Sequence, residues 1–172
     1  ACLDSDDEWL PEHVEKLLRS GADRVVVSTG GLPLITEIAT RFGSQAVVAA
    51  LDVKDWRVYL DSGRAVLPYD PASCPPACAA QRLQGAGCGE ILLQSIERDG
   101  TMDGYDLALI KRVTEGARVP VVASGGCSGA ADMIAAVRAG ADAVAAGALW
   151  RFTEATPDEC KAEMRAAGLV VR

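Results

Sequence analysis

Apolar positions along the chain alternate between two spacings. Over Pro11–Arg19 they fall at helical intervals, with Val14, Leu17 and Leu18 on one face. Gly21 ends that segment, and Arg24–Val27 reads as a buried strand. Further helices are predicted at Pro33–Phe42, Ala72–Gln84, Tyr105–Glu115, Ala130–Ala139 and Pro157–Ala167, with Pro33 suited to a first turn. Strands are predicted at Ala46–Leu51, Glu90–Ser95, Pro120–Ser124 and Ala143–Ala146, and Ala1–Asp4 is a candidate for one more. One stretch breaks the alternation. Arg57–Tyr59 and Ala65–Leu67 flank Asp61-Ser62-Gly63, the pattern of a hairpin inserted after a strand. Apolar strands alternating with helices imply a parallel α/β sheet covered by helices.

The alternation contains a repeat. Leu17–Val25 recurs as Ala136–Val144, each copy running helix, Gly-Ala-Asp turn, strand. The spacing between the copies is about four βα units at roughly 30 residues each, as a duplicated half-barrel would leave. The repeat sets Ser28-Thr29 against Gly147-Ala148, both at carboxyl ends of strands. It also sets Ser5-Asp6-Asp7 against Ser124-Gly125-Gly126; the glycines admit an anion and the aspartates repel one.

Composition narrows the classes. With 172 residues, 49% of them hydrophobic, the chain can bury one core, and residues 1–172 are expected to form a single domain. The net charge of -7 argues against wholesale binding to nucleic acid or an anionic membrane. No apolar run approaches the roughly 18 residues of a membrane span, and no leader pattern opens the chain, so a cytoplasmic location is expected. The first residue is Ala1 rather than Met, as in a fragment or a processed form. The 6 cysteines match no zinc spacing, with only 1 His to complete a mixed site. Reduced, structural thiols are expected, with neither metal nor organic cofactor.

Candidate chemistry lies at strand ends. Asp99-Gly100-Thr101 follows the strand Glu90–Ser95, Ser124-Gly125-Gly126 ends the next, and Gly147-Ala148 follows the last. Three neighbouring strand ends thus carry small, donor-rich loops suited to a phosphate. In this reading Thr101 offers a hydroxyl and a backbone N–H just before a helix. Asp52 ends the strand Ala46–Leu51 at the same face, and Asp4 ends the candidate strand before it. Two carboxylates at one mouth can serve as general acid and base, although a capping or turn role for Asp52 is equally open. His13, Glu12, Glu15 and Lys16 read as a wet helix face. Cys74 and Cys78 read as packing on one helix face, and the scattered Trp9, Trp56 and Trp150 form no stacking platform.

Taken together, these segments resemble the cyclase subunit family of imidazole glycerol phosphate synthase. The resemblance rests on Ala1-Cys2-Leu3-Asp4, on Gly21-Ala22-Asp23 through Ser28-Thr29, and on Arg41–Val48. It continues through Gly89–Leu93, Asp99-Gly100-Thr101, Gly104-Tyr105-Asp106, Ala123–Gly126 and Gly140–Ala143, and it covers nearly all of residues 12–172. It implies a (β/α)8 barrel, here incomplete with about five to six parallel strands, that acts in histidine biosynthesis. Such a lyase uses ammonia from a glutaminase partner. It converts a bis-phosphorylated phosphoribulosyl-formimino aminoimidazole carboxamide ribotide to imidazole glycerol phosphate and aminoimidazole carboxamide ribotide.

By resemblance the acid/base pair falls on Asp4 and Asp52. One substrate phosphate falls at Ser28 and Thr29. The other falls at Asp99, Gly100, Gly126, Gly147 and Ala148, beside Thr101, Ser124 and Gly125. Arg24 and Glu90 match positions near the ammonia entrance, and Asp23 matches one near the partner contact.

The chain also departs from that family. Asp4 is followed almost at once by a helix resembling the family's third, so a phosphate-binding lysine and a glycine-rich loop have no counterpart. Ser28 stands where the family has asparagine. Three readings follow: an incomplete record, a chain that self-associates to complete its barrel, or a truncated product that binds a phosphate or a partner without turnover. Two related activities also fit the motifs. One is the sister isomerase of the pathway. The other is a cyclase-like subunit for sugar amidation, with which Met102 and Gly104–Leu107 are compatible.

Overall fold

The structure is a computed structural model, and it describes residues 11–28, 31–60, 65–66 and 75–172. The candidate strand Ala1–Asp4, Thr29, Trp9, Cys74 and the turn Asp61-Ser62-Gly63 lie outside the described residues.

The elements run α1 (Pro11–Arg19), β1 (Val25–Val27), α2 (Gly31–Phe42), β2 (Val47–Lys54), β3 (Arg57–Leu60), β4 (Ala65–Val66), α3 (Pro76–Gly85), β5 (Glu90–Ser95), α4 (Leu107–Thr114), β6 (Val121–Ser124), α5 (Ala130–Arg138), β7 (Ala143–Val144), α6 (Ala148–Phe152) and α7 (Pro157–Ala166). Strands β1, β2, β5, β6 and β7 are parallel neighbours in that order. The β3–β4 hairpin pairs antiparallel with the far end of β2. It thereby shares with β1 the edge of β2 that β5 leaves open.

The two faces of the sheet differ. Val47, Ala49, Leu51 and Val53 of β2, Ile91 and Leu93 of β5, and Val121 and Ala123 of β6 are buried. They form one core with Ile35 and Ile38 of α2, Ala80 of α3, Val113 of α4, Met133 of α5 and Met164 of α7. Every long helix therefore packs on the same face, each beside the next in chain order except that α7 follows α5 directly. A doubly wound sheet would divide its helices between two faces. Helices on one side only, following parallel strands, make this a partial (β/α)8 barrel.

Local chemistry explains the boundaries. α7 opens with a capping box between Thr156 and Glu159, with Pro157 in its first turn. The repeat seen in sequence is also a structural repeat, for α1 and α5 end in the same turn. Gly21 and Gly140 both have positive φ, 104° and 115°. The N–H of Gly21 bonds Leu18 O and that of Ala22 bonds Leu17 O; Gly140 and Ala141 bond Val137 O and Ala136 O in the same way.

Several expected boundaries move. β2 runs on to Lys54, because β3 supplies a pairing edge beyond Leu51. Ala46 belongs to a short 3-10 helix (Ser44–Ala46) rather than to the strand. α4 begins at Leu107, because Asp106 caps it by accepting the Leu109 N–H at 2.9 Å. Tyr105 is therefore a buried loop residue. α6 leaves no signal in the sequence, because its five residues are too few to show a helical period.

Candidate functional site

Strand register places the candidate carboxylate. Asp52 lies opposite Gln94 of β5, Gln94 lies opposite Ser124 of β6, and on the hairpin side Asp52 lies opposite Tyr59. Directly opposed residues share a face. Tyr59, Asp52, Gln94 and Ser124 thus form one row across four strands, on the face turned away from the helices. The expectation that Asp52 ends its strand is corrected: it is two residues inside the end of β2. Burial raises the Asp52 carboxyl above its ordinary range of about 3.8, because desolvation disfavours the charged form. No cation or hydrogen bond among the described residues offsets this.

The loops beyond the row are joined to one another. The N–H groups of Arg98 and Asp99 both bond Ser95 O, and the Gly104 N–H bonds Gly126 O at 2.8 Å. Tyr105 donates its hydroxyl to Ala145 O at 2.9 Å, tying the loop after β5 to the end of β7. Burial pushes that phenol far above its usual range, so it stays a neutral donor. The loops after β5, β6 and β7 therefore gather at one rim, as the sequence predicted.

Their glycines have a tertiary explanation. Gly125 and Gly126 have φ of 96° and 98°. A Cβ on Gly125 would lie 2.6 Å from Ser95 O, and one on Gly126 would lie 2.3 Å from Gly104 O. The close approach that demands glycine is thus that of the neighbouring loop. The turn leaves backbone donors without partners as a consequence. Among the described residues, the N–H groups of Gly100, Gly125, Gly126, Gly147 and Ala148 meet no acceptor. Unpaired backbone N–H groups are the kind of donor that an anion can accept from. The N-terminus of α6 likewise has no side-chain cap.

Thr101 is a correction. Its N–H bonds Arg98 O at 3.1 Å, and its hydroxyl donates to Arg98 O and accepts from the Asp103 N–H. It closes the turn rather than offering free donors, and α4 starts only at Leu107. Asp99 is exposed in the same turn. Ser28 follows β1 on the same rim and is half-buried. Thr29 and Asp4 lie outside the described residues.

The opposite end of the sheet carries the other predicted group. Arg24 precedes β1 and Glu90 opens β5, and their side chains pair across the intervening β2. Asp23 is exposed beside them, and Gly21, Ala22, Asp23, Arg24 and Gln45 line an open concavity of about 740 Å³. A second concavity of about 800 Å³ runs between β7, α7 and the C-terminal residues, with Met133, Val144, Trp150 and Met164 in its wall. It is mostly apolar and contains none of the rim donors. Among the described residues no cluster of three or more His, Cys, Asp or Glu could hold a metal ion. No helix among them is long and apolar enough to cross a membrane. Sequence reasoning missed Gln94 and Tyr59, whose only signal was their register with Asp52.

A parallel sheet with helices on its outer face only defines the (β/α) barrel class. Residues 10–155 match the model of the family described as histidine biosynthesis protein, and the chain belongs to that family.

Proposed function

We propose that this chain is the cyclase subunit of imidazole glycerol phosphate synthase. The observation that carries the reading is the half-buried Asp52 carboxyl, set in a row that leads to unpaired N–H donors at the same rim. A carboxyl that burial raises holds its proton more readily than an ordinary one, which suits a proton-transfer role. The donors suit one phosphate of a bis-phosphorylated substrate, and Ser28 suits the other. By resemblance, Asp4 supplies the second carboxyl.

In this reading ammonia enters past Arg24 and Glu90 from a glutaminase bound at the end that carries Asp23. It then crosses to the rim and attacks the substrate beside Asp52. Resemblance also supports this division, since the segments around Asp52, Asp99–Thr101 and Arg24 match the cyclase pattern together.

The test is an assay with ammonium salts in place of the glutaminase, following release of aminoimidazole carboxamide ribotide. Turnover that Asp52→Asn abolishes supports the proposal. Isomerisation of the formimino precursor without ammonia use would assign the sister activity instead. Amidation of a sugar in place of the ribotide would assign the paralogue.

A further inference from the structure

We infer that the concavity between β7, α7 and the C-terminal residues is a binding site for a small amphipathic anion, an aromatic or medium-chain aliphatic body that carries one carboxylate or sulfonate. The site lies apart from the rim donors and does not depend on the cyclase reading.

Its size and lining suit such a ligand. Small-molecule sites are clefts of roughly 300–1,000 Å³, mostly apolar, with a few polar groups that fix orientation. This one measures about 800 Å³, and Val144 of β7, Met133 of α5, Trp150 of α6 and Met164 of α7 line it. Val144 and Trp150 are only half-buried, so apolar surface is left for a ligand to cover. The thioether side chains adapt to either a ring or an alkyl chain. The C-terminal wall is held in place by the chain itself. The Leu169 N–H donates to Met164 O at 3.1 Å, and the Arg165 guanidinium donates to Val171 O at 3.4 Å. A groove already formed spares a ligand much of the cost of ordering it.

The charges complement an anion. Lys161 and Arg172 line the same concavity, and among the described residues neither is in an ion pair or a hydrogen bond. The lining carboxylate, Asp142, is already engaged by the Val121 N–H. Lys161 is half-buried and stands one helical turn before Met164, on the same side of α7. An anion paired with the Lys161 ammonium therefore keeps its apolar body over Met164. A neutral ligand of the same shape covers the walls and leaves the ammonium without a partner, so charge is what the site selects.

Fluorescence titration of the full chain with anilinonaphthalene sulfonate, and with its uncharged counterpart phenylnaphthylamine, tests this. Wild type is expected to bind the sulfonate at one site per chain, more tightly than the neutral probe. Lys161→Gln should weaken the sulfonate by about 3- to 5-fold, the worth of a solvent-accessible charge pair, and leave the neutral probe unchanged. Val171→Asp places a carboxylate in the wall and should weaken both probes, with circular dichroism showing the fold retained. Equal affinity of wild type for the two probes overturns the inference, as does an unchanged sulfonate affinity in Lys161→Gln. Sulfonate binding that survives Val171→Asp puts the probe elsewhere and also overturns it. So does the absence of saturable binding in wild type; a dimer by sedimentation in that case assigns the groove to a second copy.

Discussion

The Asp142 carboxylate accepts the backbone N–H of Val121 at 2.9 Å, clamping the turn before β7 to the first residue of β6. In the repeat its counterpart is Asp23, which is exposed and accepts no hydrogen bond among the described residues. The same local sequence therefore makes a tertiary bond in one copy and leaves a carboxylate open in the other. Asp142→Ala is expected to cost about 1–2 kcal/mol, because it leaves a strand-end N–H unpaired. Asp23→Ala should stay within about 0.5 kcal/mol. Urea unfolding of the two variants measures both values, and equal losses would falsify the assignment.

Gly21 and Gly140 allow a second paired comparison. Both have positive φ, so alanine at either strains the backbone by about 1–2 kcal/mol. A Cβ at Gly21 meets nothing within 4 Å, whereas one at Gly140 would sit 2.6 Å from Thr114 Oγ1. Gly140→Ala should therefore lower the melting temperature further than Gly21→Ala, and Thr114→Ala should recover part of the difference.

Under the proposed function, Asp52 bears on a rate as well as on a pH response. Asp52→Asn should lower ammonia-dependent turnover by about 10²- to 10⁴-fold. Burial raises its folded-state pKa, so the native chain holds the proton to higher pH than the unfolded chain. Stability contributed at Asp52 is then full below the ordinary carboxylate range and is lost as pH rises through the raised value. Relative to Asp52→Asn, wild type should become steadily less stable over that acidic interval and then level off. A stability difference independent of pH would remove burial as the cause.

Tyr105→Phe deletes one hydrogen bond, to Ala145 O, and keeps the ring. A cost of about 1 kcal/mol is expected from the lost bond. Because the phenol stays neutral, that cost should not change between pH 6 and roughly pH 9. Thermal unfolding at several pH values checks it.

The pair Arg24–Glu90 bears on the proposed ammonia route. The Arg24 side chain is 56% exposed and that of Glu90 20% exposed, so breaking the pair should cost no more than about 1 kcal/mol. Glu90→Ala is expected to change the ratio of glutamine-driven to ammonium-driven turnover while leaving phosphate binding at the rim unchanged. Equal changes in both turnover modes would place the pair outside the route.

Much of the architecture was legible because its signals are local. The helical spacing of Val14, Leu17 and Leu18, the Gly-Ala-Asp turns and the apolar runs around Ile91 and Val121 act within a few residues. The rim loops were legible for the same reason, since glycine pairs at strand ends stand out. The extent of β2, the role of Thr101 and the bond from Val121 N–H to Asp142 were not. Each depends on a partner distant in sequence: β3 for β2, Arg98 and Asp103 for the Thr101 turn, and a neighbouring strand for the aspartate.

The sequence by itself determined the alternation of strand and helix, the repeated helix-ending turns and the small-residue loops, because propensity, periodicity and backbone freedom are properties of short segments. Only the tertiary structure decided that Asp52, Gln94 and Ser124 stand in one row and that Gly125 and Gly126 yield to neighbouring carbonyl oxygens. Register between strands is set by packing of the whole sheet, and a shift of one residue would have turned each of those side chains to the other face.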